Sequence, residues 1–307
     1  LTTTQTLNNR VINWRLNMSK TIDTLVDDIY KFMKDKNTPK DIDPAAEIEK
    51  FGEAMKDLMK KEFLPSKGYD GRNLRLSAIG KPDRQQWYSA KNYVGEKIQP
   101  HTLIKFMYGH MIEEFLLMLV RLSGHEVTDE QKEVEVCGVK GHMDCKIDGT
   151  VVDVKSTTSY GIKKFKDGTL AASDDFGYVD QIKAYAHAEG ERKFAWLAMD
   201  KQNGHLAVLQ YDLDDTKHPM YDNYSGDIED RVTHVKEFTN QDDIPEPCSY
   251  PVPDGRTGNV KLSVMCSYCQ YKKHCYPTMR AFLYSNGPRF LTEVNNTPNV
   301  QELNLNL

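Results

Sequence analysis

Two carboxylates and a lysine flank a turn in the stretch Gly141-His-Met-Asp-Cys-Lys-Ile-Asp-Gly-Thr-Val-Val-Asp-Val-Lys155. Asp148-Gly149 is a strong signal for a two-residue hairpin turn between two short apolar runs. A tight turn there sets Asp144 roughly opposite Asp153, and cross-strand neighbours lie about 5 Å apart, close enough to share one divalent ion. Asp153 and Lys155 are two residues apart, so they point to the same sheet face, while the Val154 side chain points the other way and leaves its carbonyl as a further ligand. Hard carboxylate oxygens suit Mg²⁺ or Mn²⁺. Such an ion polarises a phosphate and lowers the pKa of an attacking water. A lysine on the same face neutralises charge on the pentavalent phosphorus or orients the water. Phosphate ester hydrolysis is very slow without a catalyst, so these groups would have to supply a large share of about 20 kcal/mol.

The elements that must position these residues are legible in outline. Apolar stripes at helical spacing predict helices over 8–35, 44–62 and 100–123. The last, with Leu103, Phe106, Ile112, Phe115, Leu116 and Leu119, reads as a core helix stopped at Ser123-Gly124. Strands are expected over 133–138, 141–148 and 150–156, a helix over 177–189, strands over 193–199 and 205–211, and a helix over 215–238. This order predicts an α/β core with a mixed central sheet flanked by helices. On the 100–123 helix, His110, Glu113 and Glu114 lie three and four residues apart, near one side, where they can offer a further acid to the metal site.

The order of helix glutamate, Asp144, then Asp153-x-Lys155 resembles the PD-(D/E)xK nuclease superfamily, most closely its RecB-like branch, which includes the CRISPR adaptation nucleases and many phage exonucleases. That branch carries Gln-x-x-x-Tyr on the following helix, and Gln181-Ile-Lys-Ala-Tyr185 stands there. The resemblance covers roughly 75–285. It implies a restriction-endonuclease-like core, Asp144 and Asp153 as metal ligands, Lys155 as the catalytic lysine, and Gln181 and Tyr185 as DNA contacts. The helix ligand is Glu113 by the Gly109-x-x-x-Glu spacing or His110 by the RecB-like pattern, with Glu114 third. The proline of the family name is absent, Met143 standing before Asp144.

Cys266-Ser-Tyr-Cys269-Gln-Tyr-Lys-Lys-His-Cys275 places three cysteines within ten residues, a density that favours an iron–sulfur or zinc site in a reducing compartment. The pattern resembles the C-terminal triplet of iron–sulfur RecB-like nucleases, whose fourth cysteine stands far upstream, where this chain has Asp83. Either Asp83 or Cys248 would complete a [4Fe–4S] cluster, with Zn²⁺ as the alternative. Cys137 and Cys145 read as small buried residues on strands.

The net charge of the 307 residues is -5, so a nucleic-acid role needs a local basic face. Residues 255–289 carry Arg256, Lys261, Lys272, Lys273, Arg280 and Arg289 and no acid, and are expected to line a DNA groove, with Tyr268, Tyr271, Tyr276 and Phe282 placed for stacking or core packing. No apolar run reaches the about 18 residues of a membrane span, and no secretory leader is evident, so a cytoplasmic location is expected, that of the host cell if the chain is phage-encoded. The expected division is a helical extension (1–74), the nuclease core (75–245), a cysteine segment packed on it (246–285) and a polar tail (286–307). Together these features predict a divalent-metal-dependent DNA nuclease, an exonuclease in recombination, repair or phage DNA metabolism. It would act on DNA alongside a single-strand-annealing or single-strand-binding partner. A non-catalytic DNA-binding or assembly subunit that keeps the fold is the alternative.

Overall fold

The computed structural model describes residues 20–64, 74–217 and 227–304. The early part of the expected 8–35 helix and residues 218–226 of the expected 215–238 helix lie outside these. The chain runs through α1 (Leu25–Asp35), α2 (Pro44–Phe63), α3 (Asp83–Ala90) and α4 (Pro100–Leu122) before the first strands. Then come β1 (Val127–Thr128), β2 (Glu133–Val136), β3 (Val139–His142), β4 (Cys145–Ile147) and β5 (Thr150–Thr157). After α5 (Gly161–Lys166) and α6 (Tyr178–Ala188) follow β6 (Lys193–Asp200), β7 (Leu206–Asp212) and α7 (Ile228–Asn240).

The central sheet has the order β1-β4-β5-β6-β7. Only the β5–β6 pair is parallel; the others are antiparallel. This is the expected mixed sheet, and with helices on both faces it is consistent with a restriction-endonuclease-like fold. Asp148 and Gly149 have φ of 48° and 80°, the two positive values that a type I′ turn requires, and β4 pairs with β5 from Ile147↔Thr150 to Cys145↔Val152. β6 is apolar from Phe194 to Met199, and β5 is buried from Val151 to Val154 with Asp153 inside that run, as expected of paired parallel strands covered on both faces. Val152 and Val154 pack with Ala195 and Leu197 under Ile112, Leu116 and Val120 of α4 and Leu25 and Ile29 of α1. Val151 packs with Phe194 and Trp196 on the opposite face, under Ile182 and Tyr185 of α6 and Val232 and Val235 of α7. Asp153 and Lys155 share the parity of Val151 and therefore face α6.

Several expectations are corrected. The 141–148 strand is two strands, because the chain leaves β3 at His142 and re-enters at Cys145, with Asp144 in the gap. β2 and β3 form a separate hairpin whose turn residues, Cys137 and Gly138, both have positive φ (48° and 79°), so Cys137 is an exposed turn residue and not a buried strand residue. Helix α4 is core only in its second half; Leu103, Ile104 and Phe106 near its start are exposed. The segment expected as a polar tail from Asn286 contains two strands that belong to a sheet. β8 (Val252–Pro253), β9 (Val260–Lys261), β10 (Arg280–Tyr284), β11 (Gly287–Glu293) and β12 (Glu302–Leu303) make a second, antiparallel sheet in the order β12-β10-β11-β9-β8. Between β9 and β10 lie the short helices α8 (Val264–Tyr268) and α9 (Lys272–Cys275). Among the described residues no helix is long and apolar enough to cross a membrane.

Candidate active site and cysteine centre

The hairpin brings Asp144, Asp153 and Lys155 together. The Val154 amide donates to Asp144 Oδ2 at 2.7 Å, so the backbone of the strand opposite fixes the carboxylate. Asp153 is fully buried, and Lys155 Nζ lies 2.5 Å from its Oδ2. Apart from that ion pair, neither Asp153 oxygen has a hydrogen-bond partner among the described residues. Burial pushes the Asp144 carboxyl well above the usual range, and the Asp153 and Glu113 charges push it further the same way. Burial likewise raises Asp153, against the pull of Lys155. Burial alone would lower Lys155, but Asp153 and Asp144 more than offset it and hold the ammonium protonated far above neutrality. A fully buried acid and a half-buried one held against their own repulsion are a site that a cation would stabilise.

Of the three helix candidates, Glu113 is the one whose charge acts on both Asp144 and Asp153. Its Oε1 accepts from Gln131 Nε2 at 3.0 Å. His110 is exposed, its Nδ1 3.9 Å from Glu113 Oε2, and that contact raises its pKa despite partial burial. Glu114 turns elsewhere: burial raises its carboxyl, helped by Glu113 and Glu130 and opposed by Arg121 and Lys50. Among the described residues no three His, Cys, Asp or Glu side chains stand arranged to hold a metal ion as they are. The donor types nonetheless fit a hard divalent ion, with Asp153 offering oxygens that only Lys155 meets and Glu113 within reach once it exchanges Gln131.

Helix α6 supplies the other wall. Gln181 Nε2 donates to the Tyr185 hydroxyl at 3.2 Å, and Tyr185 is 1% exposed, so its geometry supports Gln181 from below and not a direct contact with a ligand. The sequence reading missed Tyr178, whose ring lies 4.9 Å from Lys155 Nζ, and Gln131, which holds Glu113. Helical spacing signalled the first, since residues 178, 181 and 185 share a face of α6. Gln131 gave no signal, because its role depends on how the β1–β2 loop folds.

Cys248, Cys266, Cys269 and Cys275 line one cavity together with Arg84 and Tyr88. Burial pushes Cys269 up to about 11 and raises Cys248 and Cys266. The Tyr271 amide donates to Cys269 Sγ at 3.4 Å, and Arg84 Nη1 lies 3.9 Å from Cys275 Sγ. Asp83 is engaged elsewhere: Arg231 Nη1 donates to it at 2.7 Å and His234 Nε2 lies 2.8 Å from it, which pins α3 to α7. The acid-free stretch 255–289 is not an open basic face, because Lys261 and Arg289 pair with Asp254, Arg280 with Glu302 and Lys272 with Glu96. Tyr271 and Phe282 are buried, and Tyr276 donates to the Ser249 carbonyl at 3.0 Å, so of those four aromatics only Tyr268 is prominently exposed.

No family model matches the chain, and no curated relative matches it. Among solved structures it is similar to one described as SSO0001, with 13% identity and a TM-score of 0.39 over 72% of this chain and 93% of that one. It is also similar to an alkaline exonuclease (LHK-Exo) from Laribacter hongkongensis, with 14% identity and a TM-score of 0.36 over 55% of this chain and 91% of that one. The same exonuclease in complex with dAMP gives 13% identity and a TM-score of 0.35, over 55% and 90% of the two chains.

Proposed function

We propose that this chain is a divalent-metal-dependent DNA nuclease, acting as an exonuclease, whose site is Asp144, Asp153, Glu113 and Lys155. The observation that carries the reading is the pair Asp144 and Asp153, the first half-buried and the second fully buried, both with raised pKa values, held one on each arm of a hairpin with Lys155 as the adjoining cation. Asp144, Asp153 and Glu113 would hold Mg²⁺ or Mn²⁺, with the Val154 carbonyl as a backbone donor and His110 at the rim. When bound, the ion polarises the scissile phosphate and makes water a nucleophile at neutral pH. Lys155, kept charged by its two acids, neutralises charge building on the phosphate oxygens. Tyr178 and Tyr185 wall off that lysine from water, and Gln181 presents its amide at the same face, where a DNA strand is bound.

We infer a [4Fe–4S] cluster for the cysteine cavity, with Cys248 as its fourth ligand. Four thiols face one space, and Asp83 is occupied by Arg231 and His234, which favours Cys248 over Asp83 as the fourth ligand, with Zn²⁺ as the alternative occupant. The cluster would clip the C-terminal sheet to the core.

The test is degradation of linear and of covalently closed circular DNA by the purified protein in Mg²⁺, Mn²⁺ or EDTA. Loss of linear DNA alone, abolished by EDTA, is expected. Attack on closed circles would make the enzyme an endonuclease, and no cleavage of any DNA would overturn the reading. An anaerobic preparation should be brown; a colourless, zinc-containing one would overturn the cluster.

A further inference from the structure

Three aromatic rings lead outward from Lys155. Tyr178 lies under its ammonium, Phe176 stacks on Tyr178 with centroids 5.6 Å apart and planes 27° apart, and Tyr268 meets Phe176 edge-on at 6.0 Å. The inner ring is largely buried, but Phe176 is 46% exposed and Tyr268 75% exposed. An exposed phenyl ring is ordinary on a mobile loop; this one is fixed. The Asp174 carboxylate accepts from the Phe176, Gly177 and Val179 amides at 3.2, 2.9 and 2.9 Å. Gly177, at φ +76°, packs against Gly80 so closely that a Cβ on either would fall 2.3–2.4 Å from the other's backbone. The loop is also tied to α5, where Lys164 Nζ donates to the Ser173 carbonyl at 2.7 Å and lies 3.8 Å from Asp175. Tyr268 arrives from the other side, on α8, between Cys266 and Cys269.

We propose that Phe176 and Tyr268 form a stacking platform for unpaired bases of a DNA strand whose scissile phosphate lies at Lys155. This rests on the nuclease reading above and names its substrate form. The geometry favours bases over an apolar protein partner. The row starts at a lysine in the catalytic site, and the exposed Lys163 and Lys166 lie on the helix that braces the loop. Aromatic faces stack on any base, so such a platform selects single-stranded ends without selecting sequence. Fixing the ring before the strand arrives lowers the ordering cost of binding. The site draws on two separate parts of the fold, Phe176 from the nuclease core and Tyr268 from the cysteine segment, so the platform is complete only when that segment is docked.

The test measures binding of the full-length protein, with Ca²⁺ in place of Mg²⁺, to three fluorescent oligonucleotides of equal length: single-stranded, blunt duplex, and single-stranded with abasic sites replacing the bases nearest the cleaved end. Wild type should bind the base-bearing strand more tightly than the abasic one. Phe176→Ala and Tyr268→Ala should each weaken it by about ten- to a hundredfold, close to the abasic value, since one aromatic–base stack is worth that much. Phe176→Trp should retain tight binding, and a 2-aminopurine near the end should be quenched on binding to wild type but not to Phe176→Ala. Equal binding of base-bearing and abasic strands, or alanine variants that bind like wild type, would overturn the platform even if the protein degrades DNA. A protein that binds and cleaves no DNA would overturn the platform and the nuclease reading together.

Discussion

At the scale of single residues the site is defined by electrostatic cost. Asp144 and Asp153 both have folded-state pKa values above their unfolded ones, so each destabilises the metal-free fold when ionised. For a raised carboxylate that cost is fully present above the folded pKa, shrinks as pH falls through it, and is gone below the ordinary value near 3.8. Asp144→Asn should therefore raise the melting temperature of the EDTA-treated protein at pH 7.5, each 1 kcal/mol recovered being worth roughly 2–4 °C. The gap to wild type should close toward pH 4. Mn²⁺ should stabilise wild type at pH 7.5 and not the variant, as read by differential scanning fluorimetry. A variant that melts below wild type without metal would show that the carboxylate is held by more than the Val154 amide.

At the scale of elements, two anchorings make separable predictions. Asp83 joins α3 to α7 through Arg231 and His234, whereas Cys248 faces the cysteine cavity. Asp83→Ala should retain wild-type iron per chain while losing about 1 kcal/mol in urea unfolding, because these contacts are partly solvent-screened. Cys248→Ala should lose most of its iron; the reverse pattern in an iron assay would make Asp83 the ligand. Gly177→Ala places a side chain at a positive φ and into the Gly80 backbone, so it should cost about 2 kcal/mol or more in the same unfolding measurement. The hairpin that carries the acids was legible because Asp148-Gly149 names its own turn and the register then follows from strand alternation. The choice among His110, Glu113 and Glu114 was not, since all three lie near one helix face and only tertiary contacts with Gln131, Glu130 and Arg121 separate them. Phe176 was invisible for the same kind of reason: its position depends on the Gly80–Gly177 contact, between residues far apart in the chain.

At the scale of the whole molecule, the N-terminal helices and the C-terminal sheet are held to the core by different forces. The buried His125 bridges Asp28 of α1, at 3.2 Å, to Asp148 of the β4–β5 hairpin, at 2.7 Å, and Glu47 of α2 pairs with Arg121 of α4 at 2.5 Å. The C-terminal sheet has a small apolar cluster of its own around Leu262, Met279, Ala281 and Phe290. Two of its strands, β11 and β12, fall in the segment expected as a tail because they sit among asparagines, and the Asn259 side chain that organises the Asn295 and Asn296 backbone has no sequence signature. Removing the proposed iron–sulfur cluster should loosen this sheet and leave the central one intact. In hydrogen–deuterium exchange, residues 252–303 should lose protection on iron chelation while β5 and β6 keep theirs; uniform loss of protection would mean that the cysteine centre holds the whole fold.

If Asp144, Asp153 and Lys155 hydrolyse DNA with a divalent ion, a single-turnover assay of wild type beside Lys155→Ala will show it. With end-labelled linear DNA and Mn²⁺, wild type should release nucleotides. The variant, with its fold verified by circular dichroism, should be slower by about a thousandfold or more, because it loses the ammonium that neutralises charge on the phosphate. Equal rates for the two proteins would contradict the assignment of this hairpin as the catalytic centre.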